Sequence, residues 1–312
     1  MYEVTEKILR EVRKVIVGKD DVVEKVWISI LAQGHVLLED VPGVGKTTMA
    51  LAFARTLGLD SRRVQFTSDT MPSDIIGFSL YNKETGRFDY KSGAVMTNLL
   101  LADEINRTSS KTQSALLEAM EEYQVTVDGH TYPLPKPFVV LATQNPVGSA
   151  GTQLLPSSQL DRFMIRTTMG YPDRQSQVDI LRERHHENPL DRLQGVVTCE
   201  ELLELIESAK QVHIADAVYD YIVDLVDATR SSELVELGVS PRGALALCRM
   251  AKAHAFVRGG DFVTPEDVYQ VFDDVCAHRL VLSAKARLGK ITAREITEQL
   301  RQQVPVPQVA QL

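Results

Sequence analysis

Residues 37–48 read LLEDVPGVGKTT, an apolar run that breaks into a glycine-rich turn ending in Gly45-Lys46-Thr47. These residue types at this spacing make the phosphate-cradling end of a P-loop. Glycines let backbone N–H groups close around phosphate oxygens, a lysine reaches the β- and γ-phosphates, and a threonine hydroxyl takes a place on Mg²⁺. Gly43, Val44, Gly45, Lys46, Thr47 and Thr48 are therefore the candidate phosphate-binding residues. The turn lies between a strand-like run at 35–38 and a helix-like run at 47–57, the context that the motif requires. One departure is visible. Asp40 stands where the GxxxxGK[ST] pattern carries its first glycine, so its carboxylate has to point away from the phosphates.

Outward from this loop, the first half alternates strand-like and helix-like stretches. Residues 4–16 and 20–32 read as amphipathic helices. Short apolar strands are expected at 35–38, 63–66, 99–102, 138–142 and 163–167. Such alternation predicts an α/β domain with a largely parallel sheet. Two hairpins interrupt it: 78–90, turning around 83–86, and 125–132, with Asp128-Gly129 at the centre of a type I′ turn. Beyond about residue 172 the strand signal ends and helix caps take over. Thr198-Cys-Glu-Glu201 and Thr292-Ala-Arg-Glu295 form capping boxes, and Ser240-Pro241 and Thr264-Pro265 set a cap before a first-turn proline. The expected organisation is an α/β domain over residues 1–171 and a small helical domain over 172–312.

Composition narrows the function classes. The chain has 312 residues, enough for about two domains, and its 44% hydrophobic and 24% charged residues are ordinary for a globular protein. A formal charge of −8 argues against coating nucleic acid by electrostatics. The absence of a leading apolar signal or an apolar run of about 18 residues predicts a cytoplasmic protein with no membrane span. Cys199, Cys248 and Cys276 are far apart and lack metal-ligand spacing, so they are expected to be small buried residues.

Further groups with the right chemistry follow the loop. In Leu99-Leu-Leu-Ala-Asp103-Glu104, four apolar residues end in two carboxylates. A buried parallel strand delivers its last residues to the sheet edge where α/β ligands bind. Asp103 is suited to Mg²⁺ and Glu104 to polarising the attacking water. The run VVLATQNP (139–146) is another buried strand ending in polar residues, where Asn145 could bond that water or the γ-phosphate, although an Asn-Pro by itself reads as a turn. Arg162, in QLDRF, and Arg242, at the start of the helix opened by Ser240, carry the guanidinium that suits phosphoryl-transfer charge. For both, a surface ion pair is the equally open alternative.

Taken together, the segments IVGKDDVVE (16–24), LLEDVPGVGKT, QFTSDTMPSDIIG (65–77), LLLADEINRTSSKTQSALLEAMEE (99–122), VTVDGHTYPLP, VVLATQNP, SQLDRF (158–163), VSPRGALAL (239–247) and VTPEDV (263–268) resemble the MoxR family of AAA+ ATPases, of the helix-2-insert group. The likeness spans roughly residues 4–307 and keeps the motif order. It implies a P-loop AAA+ domain followed by an all-α lid, with ATP/ADP and Mg²⁺ as cofactors. Lys46 and Thr47 are implied as Walker A, Asp103 and Glu104 as Walker B, and Asn145 as sensor 1. Arg162 is implied as the finger projected into a neighbouring subunit, and Arg242 as sensor 2, through which nucleotide closes the lid. Val17 and Gly18 would line the adenine pocket. The resemblance also implies a ring, usually hexameric, with both hairpins facing its axis. Hydrolysis would remodel or mature a protein client, of which those with a von Willebrand factor A domain are suggested.

Besides Asp40, the resemblance has two departures. SGAVMTN (92–98) lacks the Pro and Phe expected before Walker B, and Ser157-Ser158 replace a Glu-Ala pair near the finger, which removes a carboxylate from the implied interface. Two other functions therefore stay open: a slowly hydrolysing nucleotide switch or scaffold, and a nucleic-acid motor or loader.

Overall fold

The computed structural model describes residues 2–40, 43–145, 155–183 and 189–307. Helices α1 (Tyr2–Arg13) and α2 (Asp20–Leu31) lead into β1 (Val36–Glu39) and α3 (Lys46–Thr56). Next come β2 (Ser61–Gln65), α4 (Pro72–Ile76), β3 (Gly77–Asn82), β4 (Arg87–Ser92), β5 (Leu99–Asp103) and α5 (Ser110–Glu122). The α/β half ends with β6 (Gln124–Val127), β7 (His130–Pro133), β8 (Val139–Gln144), α6 (Ser157–Leu160) and β9 (Ile165–Thr167). Helices then dominate: α7 (Arg174–Glu183), α8 (Cys199–Lys210), α9 (Asp216–Ser231), α10 (Pro241–Val257), α11 (Pro265–Cys276), α12 (Ala284–Leu288) and α13 (Ala293–Gln303). One short ladder that the sequence reading did not anticipate joins Val235–Leu237 (β10) to Val281–Leu282 (β11), antiparallel. Three and two residues are too few to show alternation.

Five strands form one parallel sheet in the order β2-β5-β8-β1-β9. Both faces of β1, β5 and β8 are covered, which explains why these strands read as largely apolar runs rather than alternating ones, whereas the edge strand β2 (SRRVQ) is mostly exposed. Leu99 and Leu101 of β5 join the core shared with α1, α2 and α3, whereas Leu100 and Ala102 join the core under α5. The first of these cores continues without a break into α8, α9, α10 and α11 through residues such as Leu205, Leu225, Met250 and Phe272. The helical half is thus packed on the α/β half by ordinary apolar burial.

Both expected hairpins form. Asp128 and Gly129 have φ of +48° and +78°, the left-handed pair that a type I′ turn needs. In the turn between β3 and β4, Asn82 Oδ1 accepts from the backbone N–H groups of Glu84 and Thr85 at 2.9 and 3.3 Å. The cysteines depart from expectation. Cys276 is buried, with its thiol pushed up to about 12 by burial, but Cys199 and Cys248 are only partly covered. Helical periodicity does not fix which face a cysteine takes.

His35, just before β1, ties the sheet to the end of α5. Its Nδ1 accepts from Val140 N–H at 3.0 Å, and its Nε2 lies 3.0 Å from the Met120 carbonyl, to which it donates. Adding a proton at Nδ1 would set two donors face to face. Burial, the largest cause, accordingly holds the imidazole down to about 4. Because this value lies below the unfolded one, stability is full above about pH 6.5 and falls as pH drops towards 4. Between pH 7 and pH 5 the wild type is expected to lose about 2 kcal/mol more than a His35→Gln variant. Parallel thermal unfolding of the two proteins measures it.

Candidate nucleotide and metal site

The C-terminal ends of β1 and β5 meet the start of α3 at a cavity of about 350 Å³. Gly43, Gly45, Lys46, Thr47, Thr48, Arg63, Gln65, Asp103 and Glu104 line it. Gly45 caps α3 with a φ of +99°, and an added Cβ at Gly43 (φ +88°) would meet no atom within 4 Å. Glycine is needed at both for backbone conformation rather than for room. Val44 packs its side chain against the apolar core and is not among the cavity residues.

Lys46 is almost fully buried, and its Nζ donates to the Asp40 carbonyl at 2.8 Å. Burial lowers its pKa, while Asp103, Asp40 and Glu104 pull it back up. The Asp40 carboxylate turns away from the loop, as its replacement of glycine requires. Its Oδ2 accepts from the backbone N–H groups of Met169 and Gly170, the latter at 2.9 Å. This acid therefore anchors the P-loop strand to the segment that leaves β9.

Asp103 closes β5 with both carboxylate oxygens engaged. Oδ1 accepts from the Thr143 hydroxyl at 2.6 Å and Oδ2 from Arg63 Nη2 at 2.7 Å. Thr143 Oγ1 also accepts from Glu104 N–H at 2.9 Å. One buried hydroxyl on β8 thus positions both acids. Glu104 has φ +58°, a strained conformation for a residue with a side chain, and its Oε2 lies 2.6 Å from Arg107 Nη1. Asn145, at the end of β8, accepts at its carbonyl from Asn106 Nδ2 at 3.3 Å.

This donor set fits Mg²⁺. A hard cation of this size is held by one or two carboxylates, a hydroxyl and substrate phosphates rather than by an all-protein cage. Asp103 and Thr47 line one cavity beside the phosphate-binding turn, and among the described residues no cluster of three or more His, Cys, Asp or Glu competes for a metal.

Val17 and Gly18 sit apart from this cavity, between α1 and α7. Gly18 has φ +72°, and an added Cβ would stand 2.2 Å from Ser176 Oγ. The segment between β9 and α7 links the two places. Asp40 holds Met169 and Gly170, and Lys19 Nζ donates to the Tyr171 carbonyl at 2.8 Å.

The two arginines lie elsewhere. A second cavity is lined by Gln33, Gly34 and His35 before β1, Glu121 at the end of α5, Arg162 before β9, and Arg242 on α10. All mark the N-terminal end of the parallel strands, opposite the P-loop. Glu121 pairs with both arginines: Oε2 is 3.1 Å from Arg162 Nε, and Oε1 contacts Arg242 Nη2. The expected closure of the lid onto its own nucleotide through Arg242 is therefore corrected. The start of α10 is fixed at the far end of the sheet, because Ser240 Oγ donates to Asp161 Oδ2 at 3.0 Å and Arg279 Nε to Asp161 Oδ1 at 2.8 Å. Ser157 and Ser158 open α6 nearby, both exposed.

Sequence reasoning missed Thr143, Arg63 and Arg107. The two arginines were legible only as charges on a strand and a turn. Thr143 was legible only as a polar residue near the end of an apolar run, because its place one strand over from Asp103 is set by the strand order.

The geometry can now be set beside known proteins. Residues 35–165 match the family model of the ATPase family associated with various cellular activities (AAA), and residues 227–300 match the AAA lid domain. The chaperone MoxR1 of Mycobacterium tuberculosis is 41% identical over 313 residues, covering 97% of this chain and 82% of that protein. The chain belongs to the MoxR family of AAA ATPases. Other likenesses agree in extent. The uncharacterized protein YeaC of Bacillus subtilis is 46% identical, over 96% of this chain and 94% of its own length. The crystal structure of a proposed ATPase from Cytophaga hutchinsonii superposes with a TM-score of 0.91 at 40% identity, covering 98% and 96% of the two chains. As a MoxR-family protein the chain is an ATPase built from a parallel-sheet AAA domain and an AAA lid. Among the described residues no helix is long and apolar enough to cross a membrane.

Proposed function

We propose that this ATPase binds Mg²⁺–ATP at the P-loop cavity and works in a homo-oligomeric ring, in which each site is completed by a neighbour's Arg162 and Arg242. The observation that carries this reading is the separation of the two arginines from their own P-loop by the length of the sheet. A guanidinium so far from the phosphates of its own chain can reach only those of another copy.

Lys46, the backbone of Gly43 to Gly45 and Thr48 would hold the phosphates, and Thr47 with Asp103 would hold Mg²⁺. The ion, when bound, neutralises phosphate charge in the transition state. Glu104 would accept the proton of the attacking water, and Asn145, at the tip of the neighbouring strand, would orient that water. The segment joining Gly170 and Tyr171 to Lys19 runs between the P-loop and Val17-Gly18, which supports an adenine pocket along it. We retain the division into an AAA domain (1–171) and a lid (172–312). The chaperone name of the Mycobacterium relative supports coupling hydrolysis to a protein client. A client with a von Willebrand factor A domain, a hexameric stoichiometry and a cytoplasmic location belong to the same proposal.

The slow-switch alternative is disfavoured by the intact Asp103-Glu104 pair held by Thr143, and the nucleic-acid motor by the net charge of −8. Turnover per subunit should rise steeply with protein concentration, in step with assembly followed by sedimentation. A specific activity that is flat from the dilute monomer upward contradicts completion of the site by a neighbour.

A further inference from the structure

With Arg242 at the far end of the sheet, the cations lining the P-loop cavity among the described residues are Lys46 and Arg63. Arg63 comes from β2, an edge strand of the sheet, where it pairs in register with Leu101 of β5. Register partners share a face, so Arg63 lies on the same side as Leu101 and Asp103, the side covered by α3. Its Nη2 sits 2.7 Å from Asp103 Oδ2 and 3.2 Å from Gln65 Oε1. Half of its side chain is exposed, whereas its carboxylate partner is nearly buried.

We propose that Arg63 is the residue that distinguishes ATP from ADP within its own subunit, exchanging Asp103 for the terminal phosphate when Mg²⁺–ATP binds. This rests on the reading of the cavity as the nucleotide site. Asp103 has no unengaged oxygen, since Thr143 holds Oδ1 and Arg63 holds Oδ2. Thr143 is fully buried and fixed by its second bond to Glu104 N–H. The mobile partner is the half-exposed arginine. Asp103, on holding a divalent cation directly or through water, would give up negative charge at Oδ2 and hold the guanidinium less well. The added positive charge beside it would also repel the guanidinium. Glu104 is already paired with Arg107, so the nearest uncompensated anion left in the cavity is the phosphate end of the nucleotide. Gln65 keeps the guanidinium at this edge during the exchange. A planar fork matches a terminal phosphate through two parallel hydrogen bonds, which a lysine cannot reproduce. The bridging and non-bridging oxygens of ADP end one phosphate short of that position.

The test measures ATP and ADP affinities by calorimetry with Mg²⁺, using full-length protein. All proteins carry Glu104→Gln so that ATP persists. Arg63→Gln is expected to weaken ATP binding by about tenfold or more, as for loss of a charge-assisted bond, while ADP binding stays within about threefold. Arg63→Lys is expected to fall between the two. Equal weakening of ATP and ADP would reduce Arg63 to a structural residue, and tighter ATP binding would make it only a competitor of the metal. Either result overturns the proposal. Lys46→Ala serves as the separate control. If it leaves both nucleotides bound as before, the cavity is not the nucleotide site and the underlying reading fails first.

Discussion

Glu104→Gln should lower ATP turnover by about 10³-fold while leaving ATP binding intact, the loss typical of removing a general base. Glutamine keeps the size of the side chain but cannot accept a proton from water. In losing its charge Glu104 gives up its ion pair with Arg107, which does not line the cavity. Its backbone N–H, not its carboxylate, is bonded to Thr143, and Asp103 keeps its own hydrogen bonds. Lys46 keeps its bond to the Asp40 carbonyl and the larger influence of Asp103 and Asp40, and the glycine turn is unchanged, so nucleotide affinity is retained and the variant accumulates bound ATP. The check pairs single-turnover hydrolysis with equilibrium ATP binding. A loss below about tenfold would remove Glu104 from the role of base.

Arg162→Ala and Arg242→Ala should each lower the turnover of the assembled protein, by about 10³-fold or more for a finger arginine. Neither should change the ATP affinity of the dilute monomer. The second half of this prediction separates a neighbour's arginine from an intramolecular one. Arg242 and Arg162 share Glu121 at the end of the strands opposite the P-loop. Truncating either therefore leaves the monomer's own cavity unaltered. An arginine closing the lid over its own nucleotide would instead weaken monomer binding when removed. Nucleotide titration well below the assembly concentration, beside steady-state turnover above it, decides between the two.

Much of this architecture was legible in the chain because its chemistry is local. The glycine turn, Lys46 and Thr47 are consecutive, and a run of four apolar residues before Asp103-Glu104 identifies a buried parallel strand. Asp128-Gly129 specifies its turn by backbone conformation alone. What escaped depends on partners distant in sequence. Thr143 bonds acids 40 and 39 positions away, and Arg63 meets Asp103 across 40. Both are consequences of strand order, which local pattern does not encode. Arg242 shows the same limit. Its residue type was readable from VSPRGALAL, but the end of the sheet it occupies is set by Asp161 holding Ser240 and Arg279. The motif named the group without locating it.

The central claim, a site shared between two copies of the chain, is tested most directly by mixing two inactive variants. Glu104→Gln keeps both arginines but has no base, and Arg162→Ala keeps the base but has no finger. In a mixed assembly some interfaces join an intact Glu104 to an intact Arg162. We expect turnover to return on mixing, to a level that follows the fraction of such interfaces. Confirmed co-assembly with no recovered turnover at any mixing ratio would contradict the account.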